Sequence, residues 1–261
     1  MYDLAALETA LAGTIFAGKL HFSRTTGSTN TDAVAGGRNG SPHGSMFLSD
    51  EQTAGRGRGD HRWQSQAGEG LYVSVLLRPR MMMEDLPVVP LLAGIAAANA
   101  VYRGAGLRAD LRWPNDLLIG DRKCGGILVE SKTEREQVAF VVIGIGINVH
   151  QRSFDPDLST PASSLDLETG RDISRQELLI ALLESLQEET LALHDRAILK
   201  AVPARIALMS TWLWNRHVEV HGPQACLGTT RGLDPNGFLL VQTDDGLVTV
   251  QTGGIRDAKT R

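Results

Sequence analysis

Two clusters of residues carry most of the chemistry legible in this sequence, and both suit anions. The first is Gly55-Arg56-Gly57-Arg58-Gly59-Asp60-His61-Arg62-Trp63. Alternating glycines let backbone approach a ligand with no Cβ in the way, and the arginines between them offer planar, two-pronged donors that match phosphate oxygens. Such a run fits a cover over a triphosphate; a basic loop on RNA and a plain surface loop are the alternatives. Trp63 closes the run either as a core anchor or as a flat face for a base. The second cluster is Arg112-Trp113-Pro114-Asn115-Asp116, followed by Arg122-Lys123-Cys124-Gly125-Gly126-Ile127-Leu128. Pro114 fixes its own φ and holds Trp113 extended, which ends a strand and turns Asn115 and Asp116 out of the sheet edge. An amide and a carboxylate there could touch magnesium through oxygen or orient a lysine amine. Lys123 sets a compact cation just before a glycine pair where a ligand can lie on backbone; an exposed turn lysine is the competing reading.

Two further groupings are less specific. Gly144-Ile145-Gly146-Ile147-Asn148 has two glycines of a dinucleotide fingerprint but no helix signal after them. It reads as a close-packed strand ending on Asn148, whose amide either faces a site or satisfies a core partner. Ser28-Thr29-Asn30 and Gln52 supply hydroxyls and amides that either cap a helix or read a neutral, doubly polar ring such as a ureido group. A P-loop is excluded, because GxxxxGK[ST] is absent and Lys123 precedes its glycines.

The elements that must position these groups alternate between strand and helix. Residues 3–12 pattern as a short helix, 19–23 as a strand, and a helix follows the cap-like cluster at 26–30. Strands are predicted at 45–49 and 71–77, separated by a polar, glycine-rich loop over 50–70 whose length itself points to function. An Ala-rich helix spans 86–104 and closes at Gly104 and Gly106; strands follow at 109–113, 126–131 and 138–148, the last apolar enough to be central. Residues 174–199 repeat Leu and Ile at helical spacing, which predicts one long amphipathic helix. From about Trp214 short strands at 217–221, 237–242 and 246–251, joined by Asp-Pro-Asn-Gly and Asp-Asp-Gly turns, predict a small all-β unit.

Composition narrows the class. The chain has 261 residues, 42% of them hydrophobic, enough for a substantial core in one large domain with a small satellite. A net charge of -4 argues against a global field for nucleic acid. Cys124 and Cys226 are too few for a disulfide framework or a zinc site, which fits reduced thiols in the cytoplasm. No export signal is evident, and no run was expected to reach the roughly 18 apolar residues that span a bilayer.

Ser28-Thr29-Asn30, Gln52 ahead of Gly-Arg-Gly-Arg, Trp63, Trp-Pro-Asn-Asp, Lys123 before Gly-Gly-Ile-Leu-Val-Glu, and Gly-Ile-Gly-Ile-Asn-Val together, in this order, resemble the biotin–protein ligase family. The likeness spans nearly the whole chain. It implies an α+β fold: a class-II-synthetase-like mixed β-sheet with packed helices over residues 1–212, and a small SH3-like β-barrel over 213–261. It implies activation of biotin with Mg-ATP as biotinyl-5′-adenylate and transfer to a lysine of a biotin carboxyl carrier protein. By the same likeness Ser28, Thr29, Asn30 and Gln52 surround the biotin ring, with Gly125 and Gly126 beside it. Arg56, Gly57 and Arg58 fold over biotin and the α-phosphate, and Lys123 bridges that phosphate and the biotin carboxylate. Trp63, Asn115 and Asn148 join Arg56, Arg58 and Lys123 on the nucleotide side. For the second step Asp116, or Asn115 by orientation, is expected to position the acceptor amine; no protein-built metal cage is expected, and Asp116 could contact magnesium. Gly59-Asp60-His61-Arg62 departs from the family's further Arg-Gly-Arg and lowers the local positive charge. A lipoate or octanoate ligase or transferase of the same superfamily is the near alternative, and a non-catalytic biotin sensor the distant one. The pattern begins by Lys19, which leaves no room in this sequence for a helix-turn-helix domain, so no DNA partner is expected; a homodimer through an exposed sheet edge stays open.

Overall fold

The computed structural model describes residues 2–59 and 61–258; Asp60, in the altered loop segment, lies outside the described residues. The larger sheet has seven strands: β1 (Leu20–Thr26), β2 (Ser45–Gln52), β3 (Gly70–Leu77), β4 (Asp110–Arg112), β5 (Asp116–Ile119), β6 (Arg122–Glu134) and β7 (Gln137–Asn148). Their order is β1-β2-β3-β7-β6-β5-β4. β1 and β2 run parallel, joined by the crossover helix α2 (Thr29–Arg38) as parallel strands require, and every other neighbouring pair is antiparallel. β7 is the central strand expected of its apolar run.

The pleat sorts side chains onto two faces. Leu71, Val73, Val75 and Leu77 of β3 and Ile143, Ile145 and Ile147 of β7 enter the main core, packed under α3 (Val89–Ala105) and α5 (Arg175–Thr190). On the opposite face, register aligns Tyr72 with Gly146, Ser74 with Gly144, and Gly126 with both Gly146 and Asp116. Leu76, Phe140 and Val142 pack Ala33 of α2 at one end of that face, while around Gly126, Gly144 and Gly146 the backbone is bare. The bare half is where a ligand can lie on the sheet.

Helix α3 ends at Gly106, left-handed at φ 74°, whereas Gly104 remains helical. Together with the 3₁₀ turn at Met83–Val88 it forms a 23-residue segment long and apolar enough to cross a membrane, contrary to the expectation of no such run. Here it is a core helix, packed against α5 and the sheet, with 67% of its apolar window buried. The single long helix predicted over 174–199 is instead α5, a 3₁₀ turn at Leu191–His194, and α6 (Arg196–Met209). Asp195 makes the break: its carboxylate accepts from the backbone N–H of Ala197 and Ile198, capping α6. Two shorter helices, α1 (Leu4–Ala10) and α4 (Leu165–Thr169), complete the helical elements, with α1 against α5.

After a short linker the chain forms β8 (Trp214–His221), β9 (Cys226–Leu233), β10 (Leu239–Thr243), β11 (Gly246–Val250) and β12 (Gly254–Asp257), an antiparallel sheet in the order β11-β10-β9-β8-β12. Two of these strands were not predicted. β9 carries a glycine at 228, where a Cβ would stand 2.4 Å from the Gln242 carbonyl oxygen, and β12 has only four residues.

Candidate functional site

A cavity of about 1300 Å³ opens on the bare face of the large sheet, between the N-terminus of α2, the 53–69 loop and the β11–β12 turn. It exceeds the roughly 300–1,000 Å³ typical of one drug-sized ligand, so two small substrates fit together. Its floor is glycine. A Cβ on Gly146 would stand 2.5 Å from Trp63 Nε1, and one on Gly144 1.9 Å from Asn30 Oδ1. The Gly-Ile-Gly-Ile alternation thus places isoleucines in the core and leaves bare backbone under Trp63 and Asn30.

A continuous hydrogen-bonded chain of side chains lines one wall. Gln52 Nε2 donates to Ser65 Oγ at 2.8 Å, and Gln52 Oε1 accepts from Thr29 N at 2.8 Å. Thr29 Oγ1 lies 2.8 Å from Ser74 Oγ, which donates to Asn30 Oδ1 at 2.7 Å. Asn30 Nδ2 donates to Glu130 Oε2 at 2.8 Å, and the same oxygen accepts from Arg56 Nη2. Ser28 occupies the N-cap position of α2 but makes no capping bond; Gln52, reaching from β2, takes that task. Ser28 is buried against the cavity with no protein partner for its hydroxyl among the described residues.

Across the floor, Lys123 Nζ stands 2.5 Å from Asp116 Oδ1 and 5.5 Å from the centre of the Trp63 ring. Arg112 donates to the other oxygen of Asp116 from Nη2 at 2.6 Å and Nε at 3.1 Å. Burial alone would raise the Asp116 carboxyl, but the Lys123 and Arg112 charges and their hydrogen bonds hold it below the usual carboxylate range. Both carboxylate oxygens therefore already face cations of the protein itself, Lys123 on one and Arg112 on the other. Asn115 is likewise engaged: Nδ2 donates to the Ile127 carbonyl at 2.8 Å, stitching the cis-proline turn to β6.

The Gly-Arg loop has a ladder of its own. Gly57 N–H donates to the His61 carbonyl and Trp63 N–H to the Gly55 carbonyl, at 2.8 and 3.0 Å. Arg58 Nη1 donates to the Gly253 carbonyl at 2.7 Å, tying the loop to the C-terminal sheet. On the same wall His221 Nδ1 faces Arg256 Nη2 at 3.2 Å, and burial and then the Arg256 charge push the His221 pKa down. The neutral ring accepts at Nδ1 and leaves Nε2 without a partner among the described residues. A strap after β7 completes the enclosure: Lys123 N–H donates to the Pro161 carbonyl, and Asn148 Nδ2 to the Ser163 carbonyl at 3.0 Å.

Ser28, Thr29, Asn30, Gln52, Arg56, Gly57, Arg58, Trp63, Asn115, Asp116, Lys123, Gly126 and Asn148 all line this cavity. Gly125 does not. Strand alternation turns it to the opposite face, where a Cβ would meet Leu117 and Ile147. Sequence reasoning gave no role to Glu130, Ser74, the 153–162 strap or the wall from His221 to Arg256, and it named Arg112 only as the head of its motif. Period-two counting from Gly126 through Leu128 would have put Glu130 on the cavity face, and a lone serine in the apolar β3 run was a signal for Ser74. The strap and the C-terminal wall carry no local signal.

The Biotin/lipoate A/B protein ligase family matches residues 22–148, and the Biotin protein ligase C terminal domain matches residues 214–255. The chain is 31% identical over 241 residues to the biotin–[acetyl-CoA-carboxylase] ligase of Mycobacterium tuberculosis, covering 88% of this chain and 85% of that protein. It is 32% identical over 238 residues to the bifunctional ligase/repressor BirA of Bacillus spizizenii, covering 87% of this chain and 70% of the relative. A solved biotin protein ligase from Aquifex aeolicus, in complex with biotin and ATP, superimposes with a TM-score of 0.77 at 28% identity, covering 92% of this chain and 98% of that one.

Proposed function

This chain belongs to the biotin/lipoate A/B protein ligase family, and on that premise we propose that it activates biotin with Mg-ATP as biotinyl-5′-adenylate and passes the biotinyl group to a lysine of the carrier domain of a biotin-dependent carboxylase. The observation that carries this reading is one cavity holding a polar wall at Ser28–Asn30, a glycine floor, and the cations Lys123 and Arg58. In the first step the biotin carboxylate attacks the α-phosphorus and pyrophosphate leaves. Two anions must meet, and charge grows on the phosphoryl oxygens; fixed cations meet that need. Lys123 takes this role with Arg58. Ser28 is the hydroxyl left over for the biotin ring, while Thr29, Asn30 and Gln52 hold the wall in place.

Trp63 and Asn148 serve the nucleotide side. Arg56, bound to Glu130, anchors the loop over the mixed anhydride and keeps water from it. In the second step the acceptor amine, with an unperturbed pKa near 10.4, loses a proton, attacks the biotinyl carbonyl and releases AMP. A carboxylate held below its usual range is a poor base for that proton, so we assign Asp116 to orienting Lys123. We place the division between the catalytic unit (1–212) and the C-terminal unit (213–261) at the linker after α6.

The test is pyrophosphate release by the purified chain with Mg-ATP and, in parallel, biotin, lipoate or octanoate, with Lys123→Ala as control. Turnover with biotin that collapses in the variant is the expected result. Turnover with lipoate or octanoate in place of biotin would refute the assignment of substrate, and biotin binding without turnover would make the protein a sensor.

A further inference from the structure

The linker between α6 and β8 brings an aromatic ring against a residue of the reaction centre. Ser210 Oγ donates to the Leu111 carbonyl and Thr211 N–H to Asp110 Oδ1 at 3.1 Å, so the linker is stitched along the edge strand β4. This fixes Trp212, only 2% exposed, beside Arg112. The Arg112 guanidinium carbon lies 5.1 Å from the Trp212 ring centre, and that of Arg216 lies 3.6 Å from the same centre. Arg216 belongs to β8. It is held by Asp257 of β12 through two bonds of 2.6 Å, and it reaches Asp121 in the β5–β6 turn at 3.1 Å.

We propose that Trp212 is a positioning residue for adenylation: in contact with both Arg216 and Arg112, it transmits the placement of the C-terminal sheet to Asp116 and through it to Lys123. The proposal rests on the ligase reading given above. Its physical basis is that guanidiniums stack on indole faces, so a planar cation against a fixed ring loses its freedom to tilt. Two cations sharing one ring would repel, but each has its own carboxylate, Asp116 for Arg112 and Asp257 for Arg216. Arg112 has a third tether, Nη2 to Thr160 Oγ1 at 2.9 Å on the strap. With its orientation fixed, Arg112 holds one oxygen of Asp116 and leaves the other aimed at Lys123. The wall assigned to the biotin ring is built on α2 and β3 instead, with two strands between β3 and β5 in the sheet, so loss of the stack acts at the carboxylate and phosphate end and leaves that wall in place.

The test compares Trp212→Phe, Trp212→Leu and Arg216→Leu in the full chain, by steady-state pyrophosphate release against biotin concentration. Since a misplacement of order 1 Å can cost up to about 100-fold in rate, Trp212→Leu is expected to lose about tenfold in kcat with KM for biotin within about twofold. Trp212→Phe, which keeps an aromatic face, is expected to recover kcat to within about threefold of the wild type. Arg216→Leu keeps the Trp212 side chain in place and is expected to lower kcat several-fold by the same route; it decides the matter should Trp212→Leu fail to fold. Equal losses in the Phe and Leu variants, a KM that rises as kcat falls, or full activity in Arg216→Leu would overturn the proposal while leaving the ligase reading intact. A wild-type chain inert to biotin would overturn the ligase reading, and this proposal with it.

Discussion

Asp116→Asn keeps the shape of the side chain and removes the charge that Lys123 and Arg112 share. Taking one partner from a buried ion pair costs roughly 3–5 kcal/mol, because the other charge stays buried and uncompensated. Lys123 is 28% exposed, so water can take over part of its solvation, and the more buried Arg112 keeps a second acceptor in Thr160 Oγ1, which points to the low end, about 3 kcal/mol. For a chain of this size that is a fall in Tm of about 6–12 °C. The pH dependence fixes the sign. A depressed carboxyl contributes stability that is complete above its unfolded pKa, near 3.9, and is lost as pH falls through the lower folded value. Wild type and variant should therefore differ throughout the neutral range and converge in acid, where Asp116 protonates and comes to resemble asparagine. Thermal melts from neutral pH into acid read this directly. In parallel, an untethered Lys123 should lower adenylation by about tenfold or more, and transfer from preformed biotinyl-adenylate by much less. If Asp116 instead positioned the acceptor amine, transfer would collapse and adenylation would persist. Superimposable melts at neutral pH with normal adenylation would refute the tether altogether.

Three further outcomes are expected. Ser28→Ala should leave Tm nearly unchanged, since a working N-cap would be worth roughly 0.5–2 kcal/mol and Ser28 makes no capping bond; the KM for biotin should rise by about three- to tenfold, the worth of one hydrogen bond. A Tm loss without a KM change would return Ser28 to the helix. Gly146→Ala puts a methyl 2.5 Å from Trp63 Nε1 and should displace the ring, at a cost of roughly 1–3 kcal/mol from overpacking, with weaker ATP binding by calorimetry; unchanged affinity would remove Trp63 from the nucleotide site. Glu130→Gln frees Arg56 and the loop, yet both partners are partly exposed, so the stability cost should stay below about 1 kcal/mol. Its signature should be leakage: more AMP formed per carrier biotinylated, with the escaped adenylate trapped by hydroxylamine. A tight one-to-one ratio would show that Arg56 does not anchor the loop.

The local motifs stood out in the sequence because each rests on backbone constraints that act over a few residues. Pro114, the alternating glycines and the Asn-Gly and Asp-Gly turns impose their conformations wherever they lie. The strand alternation of β3 and β7 likewise follows from a pleat that needs no partner to be read. Where competing signals were local and balanced, reading failed. Asp195 falls inside the single helix predicted over 174–199, and only the capping bonds from Ala197 and Ile198 show a helix ending and another beginning.

What the sequence by itself determined is the inventory and its periodicity: which residues can hold anions, the mixed sheet with packed helices, and the β-rich C-terminal segment. Only the tertiary structure decided which groups meet. Gly125 and Gly126 are neighbours in the chain, yet the pleat sends one to the core and the other to the cavity. Asp116 looked free until folding placed Lys123 and Arg112 on its two oxygens. Arg58 and Gly253, like Arg112, Trp212 and Arg216, come together from distant parts of the chain. Such pairings come from long-range packing, because the free energy that orders them belongs to the closed core as a whole and leaves no mark on either local segment.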